Sequence, residues 1–528
     1  MPMHVAFLAA ECEPWAKTGG LADVVDALAR ALGHLGGDVV DTPVDVFLPR
    51  YRTVPAPASV DRAIALEVPD PRSPSGHSKV TVLDVPAGGY RLRLVDYPAA
   101  FDRDGFYGDA SGDYVDNAWR FGLFCRTALE ALRVDGRSLD VLHLHDWHTG
   151  PAAIYRDERY AEDPIVGGAA ILTTIHNLAY HGWAPRDALP QLGLTPGDGI
   201  VPADADGIDL LRAAIERAEL VNTVSPGFAA EATTPAFGMG LDATLREMGD
   251  RFIGILNGLD TAVWDPATDA DLAAPYSRID IAGKTACRAD LLARVGFDST
   301  DGGAVIGMIG RLDPQKGFDL LSDAAPTLLD HGVRLVVQGS GDPALAGPFR
   351  ALAAANPDRV ALIERFDRAM ARRIYAGSDL FIMPSRFEPC GQGQMIALRY
   401  GTPPIVHRTG GLADTVVDET TNPGRGTGFS FVGATVEGLI GACTAAVARF
   451  ELGGPGWAGL LDRGMAVDFD WVTGSAPRYV DAYRRAVAIR GRRRSGEGIQ
   501  ERQDAPGQWR PLPAGRPSRA ARRHTTGG

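Results

Sequence analysis

A polar loop between an apolar strand and a helix holds the residue types best suited to a bound ligand. The stretch FIMPSRFEPCGQGQ begins at Phe381, and a helix is predicted to begin near Gln394. Free backbone N–H groups and the positive end of a helix dipole suit such a loop to an anion. Glu388 lies inside the loop, where a phosphate would repel its carboxylate, so we expect it to face hydroxyl groups beside the phosphate. This combination predicts a sugar nucleotide or sugar phosphate as the ligand; the alternative is an ordinary acidic surface loop.

The hexapeptide TGGLAD occurs twice, at Thr18–Asp23 and at Thr409–Asp414. Each copy follows an apolar run and precedes a helical pattern, so each predicts a strand–turn–helix element. Paired glycines let the backbone approach a ligand without a Cβ atom in the way. The repeat predicts two similar α/β halves that face one cleft, although repeated turn chemistry without a function is an alternative.

Three cationic side chains are candidates for binding a diphosphate. Lys17 precedes the first TGG sequence, and Arg311 and Lys316 lie five residues apart in GRLDPQKG, directly after a predicted strand. Arg offers phosphate a planar fork and Lys a mobile point charge. A diphosphate leaving group needs this neutralisation as its bond to a sugar breaks, although each cation alone also fits a surface role. GSGDP, which begins at Gly339, is a further strand-end turn whose backbone would form a weaker anion site.

Histidine and aspartate side chains follow two apolar runs of the first half. These segments contain His143, His145, Asp146, His148, His176 and Asn177. We expect His143, His145 and Asp146 to point in different directions, and no second cluster has metal-ligand spacing, so a metal site is disfavoured. Ligands of open α/β sheets bind at the carboxyl edge of the strands. Asp146 and His176 are therefore predicted to bind sugar hydroxyls.

Other patterns narrow the class of enzyme. Three Asp-x-Asp triplets lack the strand and second acidic cluster of a metal-dependent sugar-nucleotide enzyme, and we interpret them as surface acids: Asp204/Asp206, Asp269/Asp271 and Asp468/Asp470. GxGxxG after a strand and GxxxxGK[ST] are both absent. Their absence disfavours dinucleotide oxidoreductases and P-loop NTPases.

Composition is that of a globular protein and excludes some partners. The chain has 528 residues, of which 45% are hydrophobic and 23% charged, and its net charge of −13 disfavours general nucleic-acid binding. Five scattered cysteines without a CxxC pattern favour a reducing compartment. No apolar run has the length of a membrane span, and no signal-peptide pattern is visible. These features predict a cytoplasmic protein.

The apolar pattern assigns these loops to alternating strands and helices. His4–Ala10 is a predicted buried strand, and the helix that follows the first TGGLAD copy has helical apolar spacing. Residues 52–96 are Pro-rich and alternating, which predicts short strands in a loop-rich excursion. The second half alternates strand and helix throughout, which predicts parallel sheets covered on both faces. APRYVDAYRRAVAIR is a predicted amphipathic helix with Tyr479, Tyr483 and Val487 on one face.

Several spaced motifs match one enzyme family. FLAAECEPWAKTGGLADVVDAL resembles the N-terminal signature of bacterial glycogen synthases and plant starch synthases, whose hallmark is KTGGL. The resemblance continues in the family's order over residues 4 to about 487, through HLHDWHTG, TIHNLAYHG, GILNGLDTAVWDP, IGRLDPQKG, SRFEPCG and RTGGLADTV.

The resemblance implies a GT-B fold, in which two Rossmann-like domains with parallel sheets face a central cleft. It implies an acceptor-side domain at residues 1–256, a nucleotide-sugar domain at 257–472 and a C-terminal helix at 473–489 that crosses back to the first domain. Residues 490–528 contain ten arginines against three acidic residues. We expect this tail to be disordered, and a role on an acidic surface is the alternative.

Members of this family transfer glucose from ADP-glucose to the non-reducing end of an α-1,4-glucan, with retention and without a metal or cofactor. The residues of this chain implied for catalysis are Lys17, His176, Arg311, Lys316 and Glu388. Those expected to bind the donor are Gly19, Gly20, Asn257, Gly339, Cys390, Gly391 and Gln392. Those expected around the transferred sugar or the acceptor are Asp23, Asp146 and Asn177.

The chain departs from the family pattern in the donor loop. The family reads EPCGLTQ where this chain reads EPCGQGQ, so Gln392 and Gly393 replace Leu and Thr. A backbone cradle survives this change, but a side-chain hydroxyl is lost, and the choice of donor could differ. The alternatives are therefore a retaining GT-B transferase for UDP- or GDP-sugars and, more remotely, a non-catalytic glucan-binding protein.

Overall fold

A computed structural model describes residues 2–36, 40–41, 43–109, 111–197, 200–300 and 302–495. Its strands are β1 (Val5–Leu8), β2 (Val44–Pro49), β3 (Arg62–Pro69), β4 (His77–Ala87), β5 (Tyr90–Asp96), β6 (Gly108–Asp109), β7 (Gly112–Asp113), β8 (Val141–His145), β9 (Ala170–Ile175), β10 (Trp183–Pro185), β11 (Gly207–Asp209), β12 (Leu220–Thr223), β13 (Phe252–Gly254), β14 (Val305–Leu312), β15 (Arg334–Gly341), β16 (Val360–Ile363), β17 (Leu380–Met383), β18 (Pro404–His407) and β19 (Phe429–Phe431).

The helices alternate with these strands over most of the chain. They are α1 (Gly20–Leu35), α2 (Pro98–Phe101), α3 (Asn117–Asp135), α4 (Gly150–Glu158), α5 (Leu210–Arg217), α6 (Pro226–Ala232), α7 (Asp242–Glu247), α8 (Gly283–Val295), α9 (Phe318–Asp330), α10 (Pro343–Ala355), α11 (Arg368–Gly377), α12 (Gly393–Arg399), α13 (Gly410–Thr415), α14 (Val436–Leu452), α15 (Gly454–Met465) and α16 (Ala476–Ser495).

The N-terminal half is built on a nine-stranded sheet in the order β13-β12-β9-β8-β1-β2-β5-β4-β3. From β13 to β5 the neighbouring strands run parallel, whereas β4 and β3 pair antiparallel at one edge. The parallel strands β1, β2, β8 and β9 are buried along their whole length, as expected for a sheet covered on both faces. We call this the N-terminal sheet.

The C-terminal half is built on a six-stranded sheet in the order β16-β15-β14-β17-β18-β19, and all of its pairs are parallel. Separate apolar clusters cover its two faces, one around Leu321 and the other around Met395. We call it the C-terminal sheet. The predicted architecture of two parallel α/β halves is confirmed. The exact domain limits, with a division at residue 257, stay our proposal.

The C-terminal helix α16 packs against the N-terminal half, as predicted. Tyr479 and Tyr483 are fully buried in the core of the N-terminal sheet, and Val487 packs against that core. The helix continues to Ser495, beyond the predicted limit at residue 489. The remainder of the predicted tail, residues 496–528, lies outside the described residues.

Residues 62–96 differ from the predicted excursion of short strands. They form the three strands β3, β4 and β5, of which β4 has eleven residues. Exposed and buried residues alternate along β3, so one face packs inward while the other meets solvent. Alternation of this kind is the pattern of antiparallel strands, and the prolines lie at the strand ends or near them.

Within the described part of the chain, none of the helices combines the length and hydropathy needed to cross a membrane. The five cysteines are buried and form no disulfide. Burial raises the pKa of the Cys125 thiol above its usual range, so these side chains serve as small apolar core residues.

Candidate functional site

Both sheets reverse their strand order at the strand that comes first along the chain. β1 lies between β2 and β8, and β14 lies between β15 and β17. At such a switch point the loops leaving adjacent strands diverge to opposite faces and open a crevice that binds ligands. Most of the predicted residues lie in the loops after β1, β8, β14 and β17 and after β9, which neighbours β8. Arg311 lies inside β14, Gly339 inside β15, and Asn257 follows β13. The strand order thus provides the reason why they gather at the carboxyl edges.

Lys17 lies in the loop after β1 and is held by two carboxylates. Its Nζ is 2.6 Å from Asp23 Oδ1 and 3.2 Å from Glu13 Oε2. The side chain remains 43% exposed, so an incoming anion can reach it. Partial burial lowers the pKa of Lys17, but the carboxylates of Asp23 and Glu13 outweigh it and raise the pKa overall. Lys17 is therefore a protonated, accessible cation at the first switch point.

Glu11 organises the same loop, a role that the sequence did not reveal. The backbone N–H groups of Thr18 and Gly19 donate to Glu11 Oε2 at 2.6 and 3.1 Å, and the Thr18 hydroxyl donates to Oε1 at 2.6 Å. Tyr107 donates to the same carboxylate at 2.7 Å. The N–H of Gly19 is thus engaged within the protein. Gly20 begins α1 and has open space around it, so it remains the better placed of the two glycines for approach by a ligand.

Asp146 follows β8 in a strained, buried position. Its φ is 56°, a left-handed value uncommon for a residue other than glycine, and the side chain is 7% exposed. Its Oδ1 accepts a hydrogen bond from the backbone N–H of His176 at 2.7 Å. Burial raises the pKa of the Asp146 carboxyl to about 7, although backbone N–H groups of His176 and Asn177 oppose this rise. The structure brings the predicted sugar residues Asp146, His176 and Asn177 together.

His176 is neutral and is oriented by a second histidine. Its Nε2 lies 3.0 Å from His145 Nδ1, and burial lowers the pKa of His176 to about 3. The expectation that His143 and His145 point in different directions is wrong, because their rings lie on one face of β8 with centroids 4.1 Å apart. Residues i and i+2 of a strand share a face. Among the described residues, no group of three or more His, Cys, Asp or Glu side chains is arranged to hold a metal.

Lys316 and Glu388 meet at the second switch point. Lys316 Nζ lies 2.6 Å from Glu388 Oε2, and the Ser385 hydroxyl donates to the same oxygen at 3.0 Å. Glu388 is 5% exposed and Lys316 is partly exposed. Arg311 was predicted in a loop but lies inside β14, where its exposed side chain has no ion-pair partner among the described residues. The second switch point therefore holds a buried carboxylate paired with Lys316, and β14 carries a further cation, Arg311.

The loop segment Cys390–Gln392 leads into α12. Gly391 has a φ of 74°, and the N–H groups of Gly391 and Gln392 make no hydrogen bond to the described residues. Because α12 has only seven residues, it adds little to the anion binding that these individual N–H groups can provide. Asn257 lies beside the Cys390 thiol, and its backbone N–H donates to the Val224 carbonyl oxygen at 3.4 Å. The buried Asn257 Oδ1 has no partner in the described part of the chain. A buried amide oxygen without a partner is rare and is suited to a bound hydroxyl.

Gly339 differs from its predicted place in a turn. It lies inside β15, paired with Gly310 of β14, and a Cβ atom on it would approach the Gly310 oxygen to 2.6 Å. Strand pairing uses its backbone polar groups, so the structure does not form the anion nest expected at GSGDP. A donor-binding role for Gly339 stays a prediction, and it would depend on the close approach that a residue without a side chain permits.

Gly393 packs against three large side chains. A Cβ atom at this position would lie 3.1 Å from Met383 Sδ and 3.3 Å from both the Phe381 ring and the Tyr375 hydroxyl. Space for a side chain is therefore tight. The buried Tyr375 hydroxyl lies near the position of the hydroxyl that this chain lacks relative to EPCGLTQ.

Exposed aromatic side chains near these edges were not singled out from the sequence. Phe366 follows β16 and is 83% exposed. Tyr180 lies in the loop between His176 and β10 and is 62% exposed, and Trp183 begins β10 and is 57% exposed. An aromatic ring exposed beside a binding edge offers a flat apolar face to a base or a sugar. The signal available in the sequence was their position shortly after an apolar run.

Family models match both halves of the chain. A model described as the starch synthase catalytic domain matches residues 4–247, and one described as glycosyl transferases group 1 matches residues 294–446. The glycogen synthase of Syntrophotalea carbinolica is 40% identical over 495 residues, which are 92% of this chain and 99% of that protein. That of Anaeromyxobacter dehalogenans is 42% identical over 487 residues, with coverage of 91% and 99%.

Solved structures of other enzymes also align with this chain. The catalytic domain of starch synthase IV from Arabidopsis thaliana, bound to ADP and acarbose, aligns with a TM-score of 0.82 and 34% identity. The alignment covers 92% of this chain and 100% of that domain. Sucrose-phosphate synthase from Thermosynechococcus elongatus aligns with a TM-score of 0.56 and 18% identity, which is a likeness of fold alone.

Proposed function

Because the chain belongs to the glycogen synthase family, we propose that it transfers glucose from ADP-glucose to the non-reducing end of an α-1,4-glucan with retention of configuration. The acceptor would be glycogen or a maltooligosaccharide. The observation that carries the proposal is the meeting of Lys316 and Glu388 at the second switch point, beside free backbone N–H groups. A site with both cations and a buried carboxylate suits a ligand that joins phosphate to hydroxyl groups.

The donor diphosphate would be bound by cations of both halves. Arg311 and Lys316 of the C-terminal half and Lys17 of the N-terminal half would neutralise it, together with the N–H groups of Cys390, Gly391, Gln392 and the Gly20 region. Glu388 would accept hydrogen bonds from sugar or ribose hydroxyls. The relative from Arabidopsis thaliana was solved with ADP and acarbose bound, which supports a nucleotide and a glucan-like ligand here.

The transferred glucose and the acceptor end would lie against the N-terminal half. Asp146, His176 and Asn177 are clustered there, and Asp23 of α1, which contacts Lys17, would join them around the sugar. Asn257 would contribute its unpartnered carbonyl oxygen. Tyr180 and Trp183 would stack on acceptor sugars, and Phe366 would stack on the adenine base.

The mechanism we propose is front-face transfer. The bond between glucose C1 and the diphosphate oxygen breaks while the cations take up the developing charge. The acceptor hydroxyl oxygen bonds to C1 on the same face, and its proton passes to the leaving phosphate oxygen. His176, whose pKa lies far below neutral, would hydrogen-bond the sugar as a neutral ring and would not act as an acid.

We further propose that the reaction needs no metal or other cofactor, because three cationic side chains are available for the charge that a metal would otherwise neutralise. A cytoplasmic location is also proposed, because all five cysteines are buried and free, as is usual in a reducing compartment. The partners proposed are thus small molecules and glucan.

A different donor is the second candidate, and one observation favours it. The EPCGQGQ loop lacks a side chain at Gly393. The space that such a side chain would need is restricted by Tyr375, Phe381 and Met383. A change in the contact with the phosphate would alter the position of the bound nucleotide. The chain would then be a retaining transferase that uses UDP- or GDP-glucose.

The deciding experiment measures nucleoside-diphosphate release from ADP-, UDP- and GDP-glucose, with and without glycogen, in the presence of EDTA. We expect release of ADP that requires glycogen and tolerates EDTA. Release from UDP- or GDP-glucose alone would establish the second candidate. Glycogen binding with no release from any donor would contradict both and would indicate a glucan-binding protein.

A further inference from the structure

The two TGGLAD copies bind a carboxylate of the protein in the same way. In the first copy, Thr18 and Gly19 bind Glu11. In the second copy, the Thr409 hydroxyl lies 3.0 and 3.1 Å from the two oxygens of Glu231, and the Gly410 N–H donates to Glu231 Oε1 at 2.9 Å. The repeated hexapeptide is therefore a repeated carboxylate clasp, formed by a threonine hydroxyl and the N–H of the next glycine.

The second clasp differs from the first because its carboxylate comes from the other half of the molecule. Glu231 lies on α6 of the N-terminal half, while Thr409 and Gly410 begin α13 of the C-terminal half. Thr409 is 2% exposed and Glu231 is partly exposed, so the contact is partly shielded from water. A charge-assisted hydrogen bond is stronger than a neutral one.

Two further hydrogen bonds join the start of α6 to the C-terminal half. The Gly227 N–H at the start of α6 donates to Asp414 Oδ2 of α13 at 2.6 Å. The buried Ser225 hydroxyl donates to the Pro389 carbonyl oxygen at 2.6 Å. Each helix thus presents a donor or acceptor to the other, and Ser225 reaches the donor loop itself.

The second TGGLAD copy also packs directly on the donor loop, with no room for a ligand between them. The Gly411 N–H donates to the Glu388 carbonyl oxygen at 3.0 Å. A Cβ atom on Gly410 would collide with the Glu388 carbonyl oxygen, and one on Gly411 with Cys390. The glycines are required here by contact between two backbones, not by contact with a ligand.

We infer that Glu231 is a positioning residue for the donor site. It holds Thr409 and Gly410, and Gly410 and the adjoining Gly411 pack on the backbone of Glu388 and Cys390. The N-terminal half would thereby set the geometry of the loop that binds the donor in the C-terminal half. This inference rests on the proposed function, which places the donor at residues 388–392. It extends the proposed function by naming a residue that acts without touching the substrate.

The test compares Glu231→Ala, Glu231→Gln and a matched control, Glu247→Ala, which removes an exposed glutamate of the same half. Glu231→Ala is expected to raise the KM for ADP-glucose about tenfold, since it removes hydrogen bonds to a charged group. The KM for glycogen should not change. Glu231→Gln keeps one acceptor oxygen and should recover part of the loss, and the control should equal wild type.

A second readout does not depend on the donor. Hydrogen exchange in the ligand-free protein should become faster in the peptide spanning residues 388–394 of Glu231→Ala and of Thr409→Val, and the double variant should add little to either. Unchanged exchange in this peptide would overturn the inference, whichever nucleotide the wild type uses. Loss of thermal stability with a wild-type KM for the donor would overturn it as well, because that is the result of a purely structural contact.

Discussion

At the scale of single residues, the site pairs lysine side chains with carboxylates before any donor is bound. Lys17 contacts Asp23 and Glu13, and Lys316 contacts Glu388. Such pairs hold each ammonium group in place at little net gain in stability, because the charges are partly solvated. A diphosphate carries more charge than a carboxylate and can share these cations. Preformed pairs of this kind would limit the reorganisation needed when the donor binds.

We predict that Lys316→Ala lowers kcat by at least about a hundredfold, since loss of one group that stabilises developing charge commonly costs about 3 kcal/mol. The matched control is Lys79→Ala, an exposed lysine on β4. Steady-state kinetics with ADP-glucose and glycogen measure the effect. A wild-type kcat in the Lys316 variant would remove this residue from the proposed catalytic set, and the same comparison applies to Arg311→Ala.

Asp146 gives a prediction on stability and pH. Burial raises its pKa from 3.8 to about 7, so between these values the folded protein keeps a proton that the unfolded chain has lost. The stability contributed by this group therefore falls as pH rises through that window. Above it, the buried charge costs up to about 4 kcal/mol.

Asp146→Asn should consequently melt at the same temperature as wild type near pH 4 and at a higher temperature at pH 8, while its transferase activity falls. Thermal melting at both pH values measures the difference. Asp358→Asn, which changes an exposed aspartate, provides the control. A difference between variant and wild type that does not change with pH would contradict the buried, raised-pKa carboxyl.

At the scale of elements, α16 is joined to β8 and β9, which precede the proposed sugar-binding residues, by a chain of buried hydrogen bonds. The Thr174 hydroxyl donates to Asn222 Oδ1 at 2.7 Å, so it must accept from His143 Nε2, also at 2.7 Å. His143 Nδ1 is then the acceptor for the Tyr483 hydroxyl at 2.9 Å. Burial lowers the pKa of His143, in agreement with this neutral tautomer.

Tyr483→Phe would leave the buried His143 Nδ1 without a partner, and we expect a loss of about 1–3 kcal/mol in stability. A lower melting temperature measures it, with Tyr180→Phe as the control because that side chain is exposed. An unchanged melting temperature would mean that this hydrogen bond contributes nothing to the stability of the protein.

Element boundaries also decide how two predicted residues act. Arg311 and Gly339 were predicted in loops, but β14 and β15 extend through them and pair Gly310 with Gly339. Apolar runs predict where a strand is buried, and both strands continue past their apolar part as exposed residues. Strand pairing by the backbone needs no apolar side chain, so its limit was not visible in the pattern.

At the scale of the whole molecule, the two halves meet where α6 of the N-terminal half packs on α13 of the C-terminal half. Contacts from Ser225, Asn257 and Glu231 all end on or beside the proposed donor loop. We therefore propose that the placement of the halves and the geometry of the donor site are coupled.

The sequence by itself determined the parallel α/β halves, an amphipathic C-terminal helix, and the loops that carry Lys17, Asp146, His176, Lys316 and Glu388. Each of these is encoded locally, by an apolar period, a glycine turn or a charged residue after a strand. The family resemblance added the return of the C-terminal helix to the first half and the proposed donor and acceptor.

Only the tertiary structure decided what the two TGGLAD copies bind. The pattern of glycines predicted that the backbone of both copies is open to a ligand. A carboxylate of the protein binds this backbone instead, Glu11 in the first copy and Glu231 in the second. Glu231 is separated from Gly410 by 179 positions, and Glu388 from Lys316 by 72. Hydrogen-bond partners so far apart leave no periodic trace in a sequence, because their meeting depends on the strand order and on how the two sheets are joined.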